Sequence, residues 1–153
     1  MADTRTHSAR RKIAADPEAL YAALIDPDAL ETWLAPEGAR LKVEVLDARP
    51  GGAFRFVLSF DRHAGKSGAN TDIVSGRFVT LEPGRLVLSE NTFVSDDPGF
   101  AGPMRTGWHF HPVPGGTKVE VVAENVPPGI SAKDHEAGFA ASLANLARYA
   151  EQP

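Results

Sequence analysis

His109 and His111 stand two residues apart in an alternating run, a spacing that sends both imidazoles to one face of a strand, close enough to share a metal ion. Arg105 falls on the same face and Met104, Trp108 and Phe110 on the other, so the histidines are expected to look outward. Nothing nearby supplies a third ligand, and no metal site is predicted. Glu90 continues the face of Leu86 and Leu88; if that face is buried, its pKa rises and it suits general acid or base work. Pairing or hydration at a strand end is the competing reading. Arg77 alternates with Ser75 and Val79. Facing an apolar interior, it would anchor a ligand carboxylate or phosphate with its two-pronged donor geometry; facing out, it is a solvated strand residue. Trp33 offers a large apolar face and one N–H donor to a ligand, or else anchors local helices to the core. His135 opens the last helical segment and reads as a polar contact there. Ser75, Ser89 and Ser142 lack the Gly-x-Ser-x-Gly elbow that exposes a nucleophile. No catalytic residue is assigned, and no cofactor is required.

These residues are positioned by a simple order of elements. Thr6 to Ala14 reads as a strand, and Asp16-Pro17-Glu18 supplies a cap, a first-turn proline and an early acid for a short helix that buries Leu20, Ala23 and Leu24. Asp26-Pro27 stops it and starts a second short helix through Leu30, Trp33 and Leu34. The period then changes to two. Leu41, Val43 and Val45 alternate with polar residues, Arg49-Pro50-Gly51-Gly52 turns the chain, and Phe54, Phe56, Leu58 and Phe60 share one face of the return strand. Asp61 to Asn70 is expected to be a loop. Four more strands follow, over Ile73 to Leu81, Arg85 to Phe93, Met104 to Val113 and Thr117 to Val126, divided by turns at Glu82-Pro83-Gly84, Ser95 to Pro103 and Pro114-Gly115-Gly116. The glycine turns lie between strands, so they are not phosphate cradles. Ser131 to Gln152 is a helix whose stripe of Phe139, Leu143, Leu146 and Ala150 must be buried.

The predicted class is α+β: an antiparallel meander curved around a long C-terminal helix, with two short helices after the first strand, all in one domain over residues 1–153. The 16 Lys plus Arg against 20 Asp plus Glu give a net charge of -4, which provides no electrostatic footprint for nucleic acid. The absence of cysteine removes disulfide scaffolds, cysteine nucleophiles and thiolate metal sites. Met1 to Lys12 has no apolar stretch of signal-peptide length and no segment could span a bilayer, so a cytoplasmic protein is expected.

Asp26-Pro27 followed by Leu30, Trp33 and Pro36; Arg49-Pro50-Gly51-Gly52 before Phe54; Gly76, then Glu82-Pro83-Gly84-Arg85-Leu86; Gly116-Thr117; and His135, Gly138, Phe139, Leu143 and Leu146 occur in that order. Together they resemble the helix-grip superfamily of START-like and pollen-allergen-like (SRPBCC) proteins. Within it, the similarity is to homologues of the heat-shock-protein-90 ATPase activator domain, over nearly the whole chain. Leu34 stands where many members have a second Trp, and Phe139 where they have a Trp after the helix glycine. Both keep apolar bulk. The resemblance implies a cavity between helix and sheet that in relatives takes up lipids, polyketides or other apolar molecules, and it implies no catalytic residue. The eukaryotic activators add an N-terminal chaperone-binding domain for which 153 residues leave no room, which disfavours a chaperone partner.

The expected function is binding of a small hydrophobic molecule between the terminal helix and the sheet. Trp33, Phe56, Leu58, Trp108, Phe139 and Leu143 are the expected contacts, with polar selectivity from Arg77 or Glu90. Ala137, Ala140, Ala141, Ala144 and Ala147 put little volume along the helix, compatible with both close packing and residual space. Two rivals remain at this point. One is an aromatase- or cyclase-like or hydrolytic enzyme using the same cavity, which requires a titratable group facing it. The other is a stress-response or chaperone-linked interaction module using the outer sheet face. The sequence leaves a homodimer open.

Overall fold

The computed structural model describes residues 5–35, 39–60, 71–95, 97–100 and 102–151. Strand β1 (Thr6–Ile13) leads into helices α1 (Pro17–Ile25) and α2 (Pro27–Trp33). Strands β2 (Ala39–Leu46), β3 (Ala53–Phe60), β4 (Thr71–Glu82), β5 (Leu86–Phe93), β6 (Met104–Val113) and β7 (Gly116–Glu124) follow, and helix α3 (Ala132–Ala150) ends the order. The seven strands form one sheet in the order β1-β7-β6-β5-β4-β3-β2, with every neighbouring pair antiparallel. β2 to β7 pair in chain order as a meander, and α1 with α2 carries the chain from one sheet edge to the other. The predicted helix-grip architecture is therefore present. The loop expected over Asp61 to Asn70 lies outside the described residues.

Local chemistry explains the element ends. Pro17 and Pro27 each occupy the first turn of their helix, where a missing N–H costs nothing. The Asp26 carboxylate accepts from the Asp28 backbone N–H at 3.0 Å, and the Ser131 hydroxyl from that of Asp134 at 3.1 Å, each satisfying one orphan donor of a helix start. β7 stops at Glu124, two residues short of expectation. Asn125 turns into the left-handed region at φ 58, and its side-chain amide donates to the Pro103 carbonyl at 2.7 Å.

Two bulges bend the sheet and reset its faces. One lies between Val43 and Val45 on β2, the other between Phe78 and Thr80 on β4. An extra residue reverses the in–out alternation beyond it. Val45, expected to share the buried face of Leu41 and Val43, is consequently 45% exposed.

The two halves of the sheet are covered differently. α3 packs mainly against β1, burying Leu143, Leu146 and Ala147, while Ile13, Leu20, Phe110, Val119 and Val121 complete a solid core below it. Each such Leu, Ile or Phe contributes roughly 1.5–3 kcal/mol by leaving water. The alanines behave otherwise than expected: Ala147 is buried and Ala144 half-buried, but Ala137, Ala140 and Ala141 are exposed. They therefore do not form the helix–sheet contact. Over β2 to β5 the helix stands off the sheet, and a space remains.

Candidate functional site: the cavity between α3 and the sheet

The space is a cavity of about 420 Å³ enclosed by α2, the inner face of β2 to β6 and the first half of α3. α1 and α2 supply Leu24, Leu30, Trp33 and Leu34; β3 supplies Phe54, Phe56, Leu58 and Phe60. Phe78, Val87, Phe93, Met104 and Trp108 extend this apolar wall across β4 to β6, and Phe139 closes it from α3. Gly138 and Ala141 also border the cavity and are exposed, so it reaches solvent beside α3. A Cβ at Gly138 would meet nothing within 4 Å, in keeping with that opening.

Of the expected ligand contacts, Trp33, Phe56, Leu58, Trp108 and Phe139 line this cavity. Leu143 does not: at 1% exposure it belongs to the packed contact of α3. Trp33 meets Trp108 edge to face at 5.9 Å, and its indole N–H donates to the Ala23 carbonyl at 2.9 Å. The donor expected to serve a ligand is thus spent on holding α1 to α2. Only the apolar ring faces the cavity.

Arg77 and Glu90, expected to lend the cavity polar selectivity, do not border it. Both lie on the opposite, outward face, where Glu90 accepts from Arg105 at 2.9 Å and from Arg77 at 3.3 Å. With Arg55, Ser75 and Thr92 they line a shallow outer dish. Leu86 and Leu88 do share Glu90's face, but that face is the outer one; Val87, Phe93 and their neighbours point inward. The bonds from Arg105 and then Arg77 hold the Glu90 carboxyl below its ordinary range, the reverse of the rise that burial would give. His109 and His111 stack at 6.3 Å on this outer face, as expected. Among the described residues no group of three or more His, Asp or Glu side chains is placed to hold a metal ion, and no helix is long and apolar enough to cross a membrane.

The polar part of the cavity wall was missed at the sequence level. Asp72, Ser89, Asn91, Thr106, His135 and Ser142 border it. Ser89 and Asn91 alternate with Val87 and Phe93, so reading β5 from its bulky residues rather than from its leucines would have placed them inward. His135 meets His7, the buried histidine of β1, with the two Nδ1 atoms 2.7 Å apart, and its ring lies 4.2 Å from that of Phe139. Burial, then the charge of Arg5, lowers the His7 pKa, and Glu136 acts weakly the other way. The Arg5 guanidinium donates to the carbonyls of Pro127 and Ile130, tying the segment before α3 to β1.

A curved antiparallel sheet gripping one long helix, with an apolar cavity between them, defines a START-like protein of the SRPBCC type. Residues 14–151 match the family model described as Activator of Hsp90 ATPase homolog 1-like protein, and the chain belongs to that family. A crystal structure of a Chromobacterium violaceum protein is 32% identical, with a TM-score of 0.86 over 97% of this chain and 98% of that one. The solution structure of an AHSA1-like protein from Aeromonas hydrophila is 22% identical, with a TM-score of 0.74 over 96% and 92% of the two chains. A protein of the dynemicin biosynthetic locus shares the fold at 18% identity and a TM-score of 0.69, covering 96% of this chain and 47% of its own. No curated protein matches the sequence.

Proposed function

We propose that the protein binds a small, largely apolar molecule in the cavity under α3. The observation that carries this reading is a space of about 420 Å³ bordered mostly by aromatic and aliphatic side chains, in a molecule whose other half is packed solid. Sites for small molecules run from roughly 300 to 1,000 Å³ and are mostly apolar with a few polar groups, and this wall has that composition. An empty apolar space forfeits the contacts its lining would make, so an occupant recovers them. Nile red, a neutral apolar fluorophore, tests the reading. It is expected to brighten on binding and to be displaced by apolar ring compounds. Ala141→Phe, at an exposed helix position on the cavity's border, should weaken binding without lowering the thermal midpoint. Failure of the native protein to bind Nile red or any competitor would remove the proposal.

An enzymatic use of the same cavity is a second reading, favoured by His135. It is the titratable imidazole on the wall, and its contact with His7 fixes the ring as a general base must be fixed. Glu90 and His109, the other acid–base candidates, stand on the outer face. Turnover of a polyketide-like substrate that His135→Gln abolishes while Nile red still binds would establish it.

A further inference from the structure

We infer, resting on the binding reading above, that the cavity selects a neutral ring compound carrying an oxygen and discriminates against a free carboxylate, with the Asn91 amide as the group that reads the oxygen. Asn91 is 9% exposed and sits on the inner face of β5. Its Oδ1 accepts from the Thr106 hydroxyl at 3.2 Å, and its amide nitrogen has no protein partner among the described residues. No sealed-off side-chain nitrogen or oxygen in the described residues lacks a partner, so this nitrogen reaches the cavity surface. The amide stands at the surface of an apolar wall with a donor to offer, and a ligand oxygen that accepts from it gains one net hydrogen bond. Were the amide turned over, Thr106 would still take one end and the cavity the other, and a ligand hydroxyl would serve.

The charge of the wall sets the second half of the inference. Among the described residues bordering the cavity there is neither Lys nor Arg; the arginines of β4 and β6 are spent on Glu90 outside. The wall's carboxyl side chain, Asp72, is 5% exposed and supplies no countercharge for an acid. His135 has its Nδ1 against His7. Among the described wall residues a carboxylate finds no cation to repay its lost hydration, whereas a ketone gives up little.

Three probes of nearly equal shape separate the possibilities: 2-ethylnaphthalene, 2-acetylnaphthalene and 2-naphthoate, each displacing Nile red at about pH 8, above the ordinary imidazole range. The ketone should bind about three- to tenfold tighter than the hydrocarbon, the size of one net hydrogen bond. The carboxylate should bind more than about tenfold weaker than the ketone. Asn91→Leu should bring the ketone to within about twofold of the hydrocarbon, the two compared in the same variant; a ketone preference that survives the substitution overturns the role of Asn91. Naphthoate binding as tightly as the ketone, or a ketone no better than the hydrocarbon, overturns this inference but leaves the apolar cavity standing. If none of the three displaces Nile red, the binding reading itself fails. Should Asn91→Leu not fold, the native protein's ranking of the three probes still decides the selectivity, and Asn91→Asp, which removes the amide donor at nearly equal volume, decides the role of Asn91 by abolishing the ketone's advantage or leaving it intact.

Discussion

The two faces of this sheet handle polar groups in opposite ways. Outside, the charged residues answer one another: Glu90 with Arg105 and Arg77, and Arg55 with Glu44 at 2.9 Å. Inside, most polar groups are amides and hydroxyls set among aromatic rings, with Asp72 and His135 beside them, and at Asn91 one end is left for an occupant. Charged pairs in water add little to stability, and they lose much of any role as ligand anchors once they are satisfied. A neutral amide held at a cavity wall is stable enough to keep and still has a bond to offer. Glu90 and Arg77, which look chemical in a sequence, thus ended in satisfied pairs on the outer face, whereas the blander Asn91 and Thr106 border the cavity.

The sharpest test of the division lies one residue apart on β6. Phe110, 2% exposed, points into the core, and His111 points outward. Phe110→Ala is expected to cost about 3–5 kcal/mol in urea denaturation, the range for deleting a buried aromatic side chain. His111→Ala should stay within about 0.5 kcal/mol of the native protein. Comparable losses at both positions would mean that the outer face is covered by something the chain itself does not supply.

Trp33 gives an intermediate effect, because it belongs to core and cavity together. Trp33→Phe keeps an aromatic ring but strands the Ala23 carbonyl that now accepts the indole N–H at 2.9 Å. The expected loss is about 1–3 kcal/mol, with Nile red affinity falling only modestly. Full stability with abolished binding would instead make the N–H a ligand donor, as its residue type alone suggests.

Most of the architecture was legible in the sequence because each element carries redundant signals. Prolines, caps and glycine turns mark the ends, and period-two runs of bulky residues fill the middle of the sheet. The site was legible only where side chains are large: Trp33, Phe56, Leu58, Trp108 and Phe139. Glu90 defeated the reading because β5 is apolar on both faces, Leu86 and Leu88 on one and Val87 and Phe93 on the other. Alternation alone cannot choose between two such faces. Val45 was lost to the bulge before it, which no residue type announces. Asn91 and the His7–His135 contact depend on pairing across 15 and 128 residues, and nothing local encodes those distances.

Acid separates the two faces through the smallest effects. The His7 pKa is lowered from the ordinary 6.5, chiefly by burial and then by Arg5. The unfolded chain therefore takes up a proton that the folded chain resists. Stability is full above about pH 6.5 and declines as pH falls from there toward the lowered folded value. Glu90, lowered from the ordinary 4.5 by Arg105 and Arg77, supports the fold fully above about pH 4.5 and loses that support only as pH falls through its depressed value. Thermal midpoints should hence fall in two windows. His7→Gln should flatten the upper one, where His135, Arg5 and Glu136 are the groups facing the imidazole. Glu90→Gln should flatten the lower one, and salt should weaken that contribution selectively because the outer pairs are open to solvent and the His7 contact is not. If salt acted equally on both windows, the inner histidine contact would be as wet as the outer ion pairs, and the contrast between the faces would lose its physical basis.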